Sequence, residues 1–278
     1  MRFKDILVHM TTAGESAPAL AAAVLLAQRH DAHVTGLHAY ELAAELMGIT
    51  GYMDAGTIQK ILDEAEQAAQ AGAAKVRPVF EETLRREAIS GEWRQVEGNI
   101  ATVLEQHARY ADLTIFARSD GDGFEPDMAE AVLFGSGRPI LVLPPAAARP
   151  FAADHILIGW NGEREAARAV ADALPFLCHA KAVQVLTVAT ENGEIEGREL
   201  DAEDLSRHLA RHGVSVSAKT VTAPGAAPEE LLLNAAADAG ADLLVVGGYG
   251  HGRFREFVLG GVTRTLLRRA TLPVMMSH

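Results

Sequence analysis

Near the C-terminal end of the chain, Leu243-Leu244-Val245-Val246 runs directly into Gly247-Gly248-Tyr249-Gly250-His251-Gly252. Nine residues after Gly250, the pair Gly260-Gly261 opens Val262-Thr263-Arg264-Thr265-Leu266-Leu267-Arg268-Arg269. The apolar run suits a strand buried on both faces, and the last stretch reads as a helix. A strand ending in a glycine turn and followed by a helix N-terminus gathers main-chain N–H groups around one point, where an anion can sit. The chemistry on offer is the cradling of a phosphate. His251 could touch such a group, and Arg253 and Arg255 could neutralise charge at the rim. The alternative is that all three are solvated, and that the glycines only permit a tight strand-to-helix turn.

Other chemistries find less support. No G-x-x-x-x-G-K-[ST] occurs, and Arg253 stands where G-x-G-x-x-G needs its last glycine, so neither a P-loop nor a standard dinucleotide fold is indicated. Phe134-Gly135-Ser136-Gly137 fails as a nucleophile elbow, which requires glycine at 134, and reads instead as the stop of a helix. The eleven histidines are scattered, with only His30/His33 and His208/His212 at helical spacing. The second pair reads as exposed, and His9 and His38 as residues ending adjacent strands that meet over a sheet. No nucleophile paired with a base and no carboxylate cluster emerges, so no catalytic residue and no metal ligand is assigned, and hydrolysis would be slow and incidental.

The elements that must position the glycines occur twice. Lys4-Asp5-Ile6-Leu7-Val8 is echoed by Asp154-His155-Ile156-Leu157-Ile158, each followed by an alanine-rich helix, Ala17 to Gln28 and Arg164 to Leu177. Val34-Thr35-Gly36-Leu37-His38 corresponds to Val183-Gln184-Val185-Leu186-Thr187, Ala111 to Phe116 corresponds to Ala241 to Val246, and Arg138 to Val142 corresponds to Leu272 to Met276. Two copies of one α/β unit follow, with the boundary in the linker-like Pro144 to Pro150. We expect domains at 1–146 and 151–278. Short apolar strands alternating with helices imply a parallel sheet covered on both faces, with ligands at the carboxyl ends of its strands. A helix is expected over roughly Thr57 to Lys75. The apolar insert from Glu41 to about Gly56 either covers a pocket or packs as an extra helix on its own domain.

Composition narrows the partners. With 25 Lys and Arg against 37 Asp and Glu, the net charge of −12 argues against nucleic acid or an anionic membrane. The single cysteine, Cys178, excludes an internal disulfide. No apolar stretch approaches the roughly 20 residues that span a bilayer, and no signal-peptide core is visible, so a cytoplasmic protein is expected.

The pattern Gly247-x-x-Gly250, nine residues, Gly260-Gly261, together with the Leu-Pro-Val-Met strand and the duplication, resembles the universal stress protein family (UspA type) in its tandem two-domain form. The resemblance covers essentially the whole chain. It implies two Rossmann-like, adenine nucleotide alpha hydrolase-like α/β domains, each a roughly five-stranded parallel sheet with helices on both faces. It also implies a stress-response module that binds ATP or another adenine nucleotide, with or without Mg.

Carried over by residue, the resemblance places Gly247, Gly248, Gly250, His251, Gly260, Gly261, Val262 and Thr263 around the phosphates. It places Gly159-Trp160-Asn161 at the ribose and the backbone of Val188 at the adenine edge. Gly261 departs from the family's Ser or Thr, with Thr263 as a substitute hydroxyl, and Asn161 departs from an aspartate. In the first copy Ala117-Arg118-Ser119-Asp120 replaces the loop and Thr11 replaces the aspartate, so that copy should not bind nucleotide. The resemblance further implies that the last strand of each sheet pairs the two copies, leaving sheet edges for homodimerisation. The rivals are a slow ATPase or self-phosphorylating enzyme, and a pocket for a non-nucleotide ligand.

Overall fold

Leu243 and Val245 point into one hydrophobic layer, Leu244 and Val246 into the other, so the run is buried on both faces and becomes a central strand. The computed structural model describes residues 2–41, 55–119, 126–145, 150–189, 202–222, 225–248 and 261–278. The first unit comprises β1 (Asp5–His9), α1 (Ala17–His30), β2 (His33–Tyr40), α2 (Ala55–Arg86), β3 (Gly91–Glu97), α3 (Ile100–Ala108), β4 (Leu113–Ala117), α4 (Pro126–Gly135) and β5 (Ile140–Leu143). The second comprises β6 (His155–Gly159), α5 (Arg164–Leu177), β7 (Ala182–Ala189), α6 (Ala202–Arg211), β8 (Val216–Thr222), α7 (Pro228–Asp238), β9 (Leu243–Gly247), α8 (Gly261–Arg269) and β10 (Val274–Ser277).

The strands form one sheet in the order β3-β2-β1-β4-β5-β10-β9-β6-β7-β8. Within each unit all pairings are parallel, whereas β5 and β10 meet antiparallel, Leu141 opposite Met275. The α/β class, the mostly parallel sheet and the pairing through the last strands therefore stand as the sequence indicated. Helices α1, α2, α5 and α6 pack on one face and α3, α4, α7 and α8 on the other, so each apolar layer runs through both units.

The duplication reaches individual hydrogen bonds. Asp112 accepts from the main-chain N–H groups of Lys4 and Asp5, and Asp242 accepts from those of Asp154 and His155. Lys4 pairs with Asp31 at 2.9 Å, and at the matching place Lys181 pairs with Asp154 at 2.8 Å with the signs exchanged.

Two elements differ from expectation. Helix α2 does not stop near Lys75 but continues to Arg86, because Val76, Phe80 and Leu84 extend its buried stripe at intervals of four. The third strand of each unit, β3 and β8, has no apolar run to announce it, since both are edge strands with mostly exposed or half-buried residues. The apolar insert lies largely outside the described residues.

Candidate functional site

In each unit the strand order reverses between the first and fourth strands, β1 and β4 or β6 and β9, and it is beyond the carboxyl ends at such a reversal that open α/β sheets hold their ligands. In the second unit Gly159 ends β6 opposite Val246, while Gly247 ends β9 one step further on. Trp160 donates its N–H to the Leu186 carbonyl at 2.9 Å, which brings the chain after β6 beside the end of β7 and hence near half-buried Val188. Helix α8 returns the chain between parallel β9 and β10, so its N-terminus, Gly261, lies at the same end of the sheet. The structure thus brings Gly159, Trp160, Asn161, Val188, Gly247, Gly248, Gly261, Val262 and Thr263 to one end of one sheet. Gly250, His251 and Gly260 lie outside the described residues.

The individual geometries refine the expected roles. A Cβ on Gly247 would come within 2.5 Å of the Ala166 main-chain N and 2.6 Å of the Glu165 carbonyl carbon, so glycine here lets the N-terminus of α5 approach the strand end. Gly248 donates its N–H to the Ser277 carbonyl at 2.8 Å, and a Cβ would lie 2.6 Å from Leu133 of the first unit. Its amide is engaged in the sheet and is not available to a phosphate. Asn161 Oδ1 accepts from the Glu163 N–H at 3.1 Å, which leaves one lone pair and the side-chain NH2 for a ligand. Thr263, in the first turn of α8, is buried, 5% exposed. At Gly261 a Cβ would meet nothing within 4 Å among the described residues.

One residue was missed by sequence reasoning. Glu165, 1% exposed, sits in the first turn of α5 directly beside Gly247 and pairs with Arg164 at 2.7 Å. A carboxylate in that position is favoured by the positive end of the helix. The signal was present as an acidic residue one place after the helix start, but nothing in the sequence marks it as buried.

The first unit carries different residues at the matching strand ends. By strand alignment His9 stands where the second unit has Gly159, and Ala117 where it has Gly247. His9 is 7% exposed, and its ring packs edge-on against Phe116 at 5.7 Å. Burial, reinforced by the neighbouring His38, lowers its pKa from 6.5 to about 4. His38 is tied through Nδ1 to the Met10 carbonyl at 2.7 Å and lies stacked on Trp93 at 6.0 Å. Thr11 donates its main-chain N–H to Ser16 Oγ at 2.9 Å and its hydroxyl to Glu15 at 3.3 Å. His208 and His212, both exposed, face each other at 4.9 Å.

The depressed pKa of His9 has a measurable consequence. The unfolded chain binds the proton between pH 6.5 and about 4 while the folded chain does not, so stability is full above that window and declines as pH falls through it. The full loss from His9 is on the order of 3 kcal/mol. Urea unfolding of wild type and His9→Asn between pH 7.5 and 4 should show a flatter dependence in the variant; identical slopes would refute the assignment.

Comparison with known proteins places these observations. Residues 153–278 match the family model described as the Universal stress protein family. A search of curated proteins found no match. Among solved structures, a universal stress protein from Archaeoglobus fulgidus DSM 4304 superposes with a TM-score of 0.70 at 16% identity, covering 98% of this chain and 95% of that one. A functionally unknown protein from Pseudomonas aeruginosa PAO1 gives 0.61 at 17% identity, covering 99% of this chain and 92% of that one. At these identities the likeness is one of fold, and it extends over both units.

Proposed function

We propose, for a chain whose residues 153–278 belong to the universal stress protein family and whose first half repeats the fold, that the second unit binds an adenine nucleotide and acts as a regulatory module. One observation carries this reading. At the strand-order reversal the second unit keeps glycine at both strand ends, Gly159 and Gly247, with the start of α8 at the same end of the sheet, while the first unit holds His9 and Ala117 there. The residues present suit the ligand: helix-start amides at Gly261 and Val262 for phosphate, Asn161 for a ribose hydroxyl, and the main chain of Val188 for the base edge. The nucleotide is ATP or a close relative, in a protein that works by binding rather than turnover.

The packing offers a specific rival. Gly247 is required by the close approach of main chain, and Gly248 is closely faced by the end of the Leu133 side chain, so packing accounts for Gly247 and favours Gly248 without any ligand. Isothermal titration with ATP separates the readings. Wild type should bind, and Gly250→Asp, which adds a carboxylate where phosphate is expected, should weaken binding more than about tenfold by removing roughly 1.4 kcal/mol or more. Equal titrations of the two proteins would end the nucleotide reading. Mass spectrometry of material released on denaturation would show whether a different small ligand occupies the site.

A second substitution tests the reading in the opposite direction. Because no described residue occupies the space at Gly261, Gly261→Ser should be accommodated and restore the hydroxyl of the family pattern. A hydrogen bond to a charged group is worth about 1.5–3 kcal/mol, so ATP affinity should rise about tenfold. An unchanged or weaker affinity would place the phosphate away from the start of α8.

A further inference from the structure

The first unit lost its glycine stretch, yet the residue that replaced it reaches across to the second unit. Arg118 follows β4 at the position that Gly248 holds after β9, and the two main-chain N–H groups make equivalent bonds, to the Leu143 carbonyl at 2.8 Å and to the Ser277 carbonyl at 2.8 Å. The guanidinium of Arg118 then donates to the Leu267 carbonyl at 3.3 Å and the Ala270 carbonyl at 2.8 Å, both at the C-terminal end of α8. Those are carbonyls that a helix leaves without internal partners, and a cation there is favoured by the helix dipole.

Other contacts from the same unit converge on the same elements. Arg264, midway along α8, pairs with Asp127 of α4 and lies 3.2 Å from Glu130 of α4. Leu133 of α4 occupies the space over Gly248, and Phe134 packs edge-on at 4.8 Å against His278, whose Nδ1 lies 3.0 Å from the Gly248 carbonyl. The residue that leads into the stretch 249–260 and the helix that follows it are therefore both held from the first unit. Because β5 and β10 run antiparallel, the carboxyl ends of one unit's strands lie beside the amino ends of the other's. The last turn of α8 comes to Arg118 in this way, and the last turn of α4 to Gly248.

We propose that Arg118 is a positioning residue for nucleotide binding in the other unit: by fixing the C-terminal end of α8 it sets where the amides at the opposite end of that short helix point. The binding arm of this inference rests on the adenine-nucleotide reading above. With nine residues, α8 has little independent stability, and it depends on tertiary contacts for its placement. In this arrangement the first unit is no idle copy; it is the frame against which the second unit's site is built.

The test measures ATP affinity by calorimetry and amide hydrogen exchange over residues 261–269, in wild type, Arg118→Ala, Arg118→Lys and Arg268→Ala. Arg118→Ala should weaken ATP binding on the order of tenfold and speed exchange in α8, Arg118→Lys should recover most of both, and Arg268→Ala, which removes a neighbouring charge without crossing between units, should leave both near wild type. ATP affinity in Arg118→Ala within about twofold of wild type would overturn the proposal. So would a loss of affinity that accompanies a fall in overall stability and is not restored by lysine, since that describes general support of the fold. If wild type itself does not bind ATP, the nucleotide reading fails separately. Hydrogen exchange then decides the remaining point: unchanged exchange in Arg118→Ala overturns the clamp, and faster exchange confined to α8 supports it.

Discussion

Gly247→Ala is expected to lower the stability of the whole protein by about 1–3 kcal/mol, the usual cost of forcing extra volume into a filled site, and to abolish ATP binding. The added carbon would press on main-chain atoms of Glu165 and Ala166 at 2.5 to 2.6 Å, and main chain cannot swing aside as the end of a side chain can. Relief requires α5 to lift off the strand end, which moves buried Glu165 with it. Chemical denaturation beside Gly261→Ala makes the comparison, because at Gly261 the same added carbon meets nothing among the described residues and alanine improves a helical position. Equal midpoints for the two variants would show that α5 yields at no cost.

The second large effect is expected at the seam between units. Leu141 in β5 and Met275 in β10 pair across the antiparallel junction, and neither is exposed at all. Leu141→Ala should cost about 2–5 kcal/mol through lost burial and the cavity left behind. Since each apolar layer passes without a break from one unit into the other, the loss should appear in a single cooperative unfolding transition that shifts as one. Calorimetry that resolves two transitions, only one of them shifted, would show that the halves fold independently.

The sequence carried much of this architecture, and the places where it fell short have physical causes. Strands buried on both faces announce themselves as apolar runs, so Ile6 to Val8, Leu243 to Val246 and, interrupted only by Thr114, Leu113 to Phe116 were legible. Strands β3 and β8 were not, because an edge strand with one open side needs no such run. The end of α2 was placed too early because Pro78 and the surrounding charges obscure a stripe that continues through Phe80 and Leu84.

The glycine pattern revealed where a site should lie but not what each glycine does. That Gly248 is closely faced by Leu133, a residue 115 positions earlier, depends on the antiparallel junction and on no local signal. Arg118 was noticed only as a residue in a degenerate loop. Its reach to the Ala270 carbonyl joins positions 152 apart, and such a partner cannot be read from spacing.

The antiparallel junction at β5 and β10 has one further consequence. A pair of identical chains joined about a two-fold axis makes every substitution twice, so it cannot place arginine after one fourth strand and glycine after the other. Carrying both halves on a single polypeptide lifts that restriction. One set of strand ends can then carry buried His9 and an arginine turned into a strut, while the opposite set keeps its glycines, and the asymmetry is inherited as one molecule rather than depending on the chance meeting of two different ones.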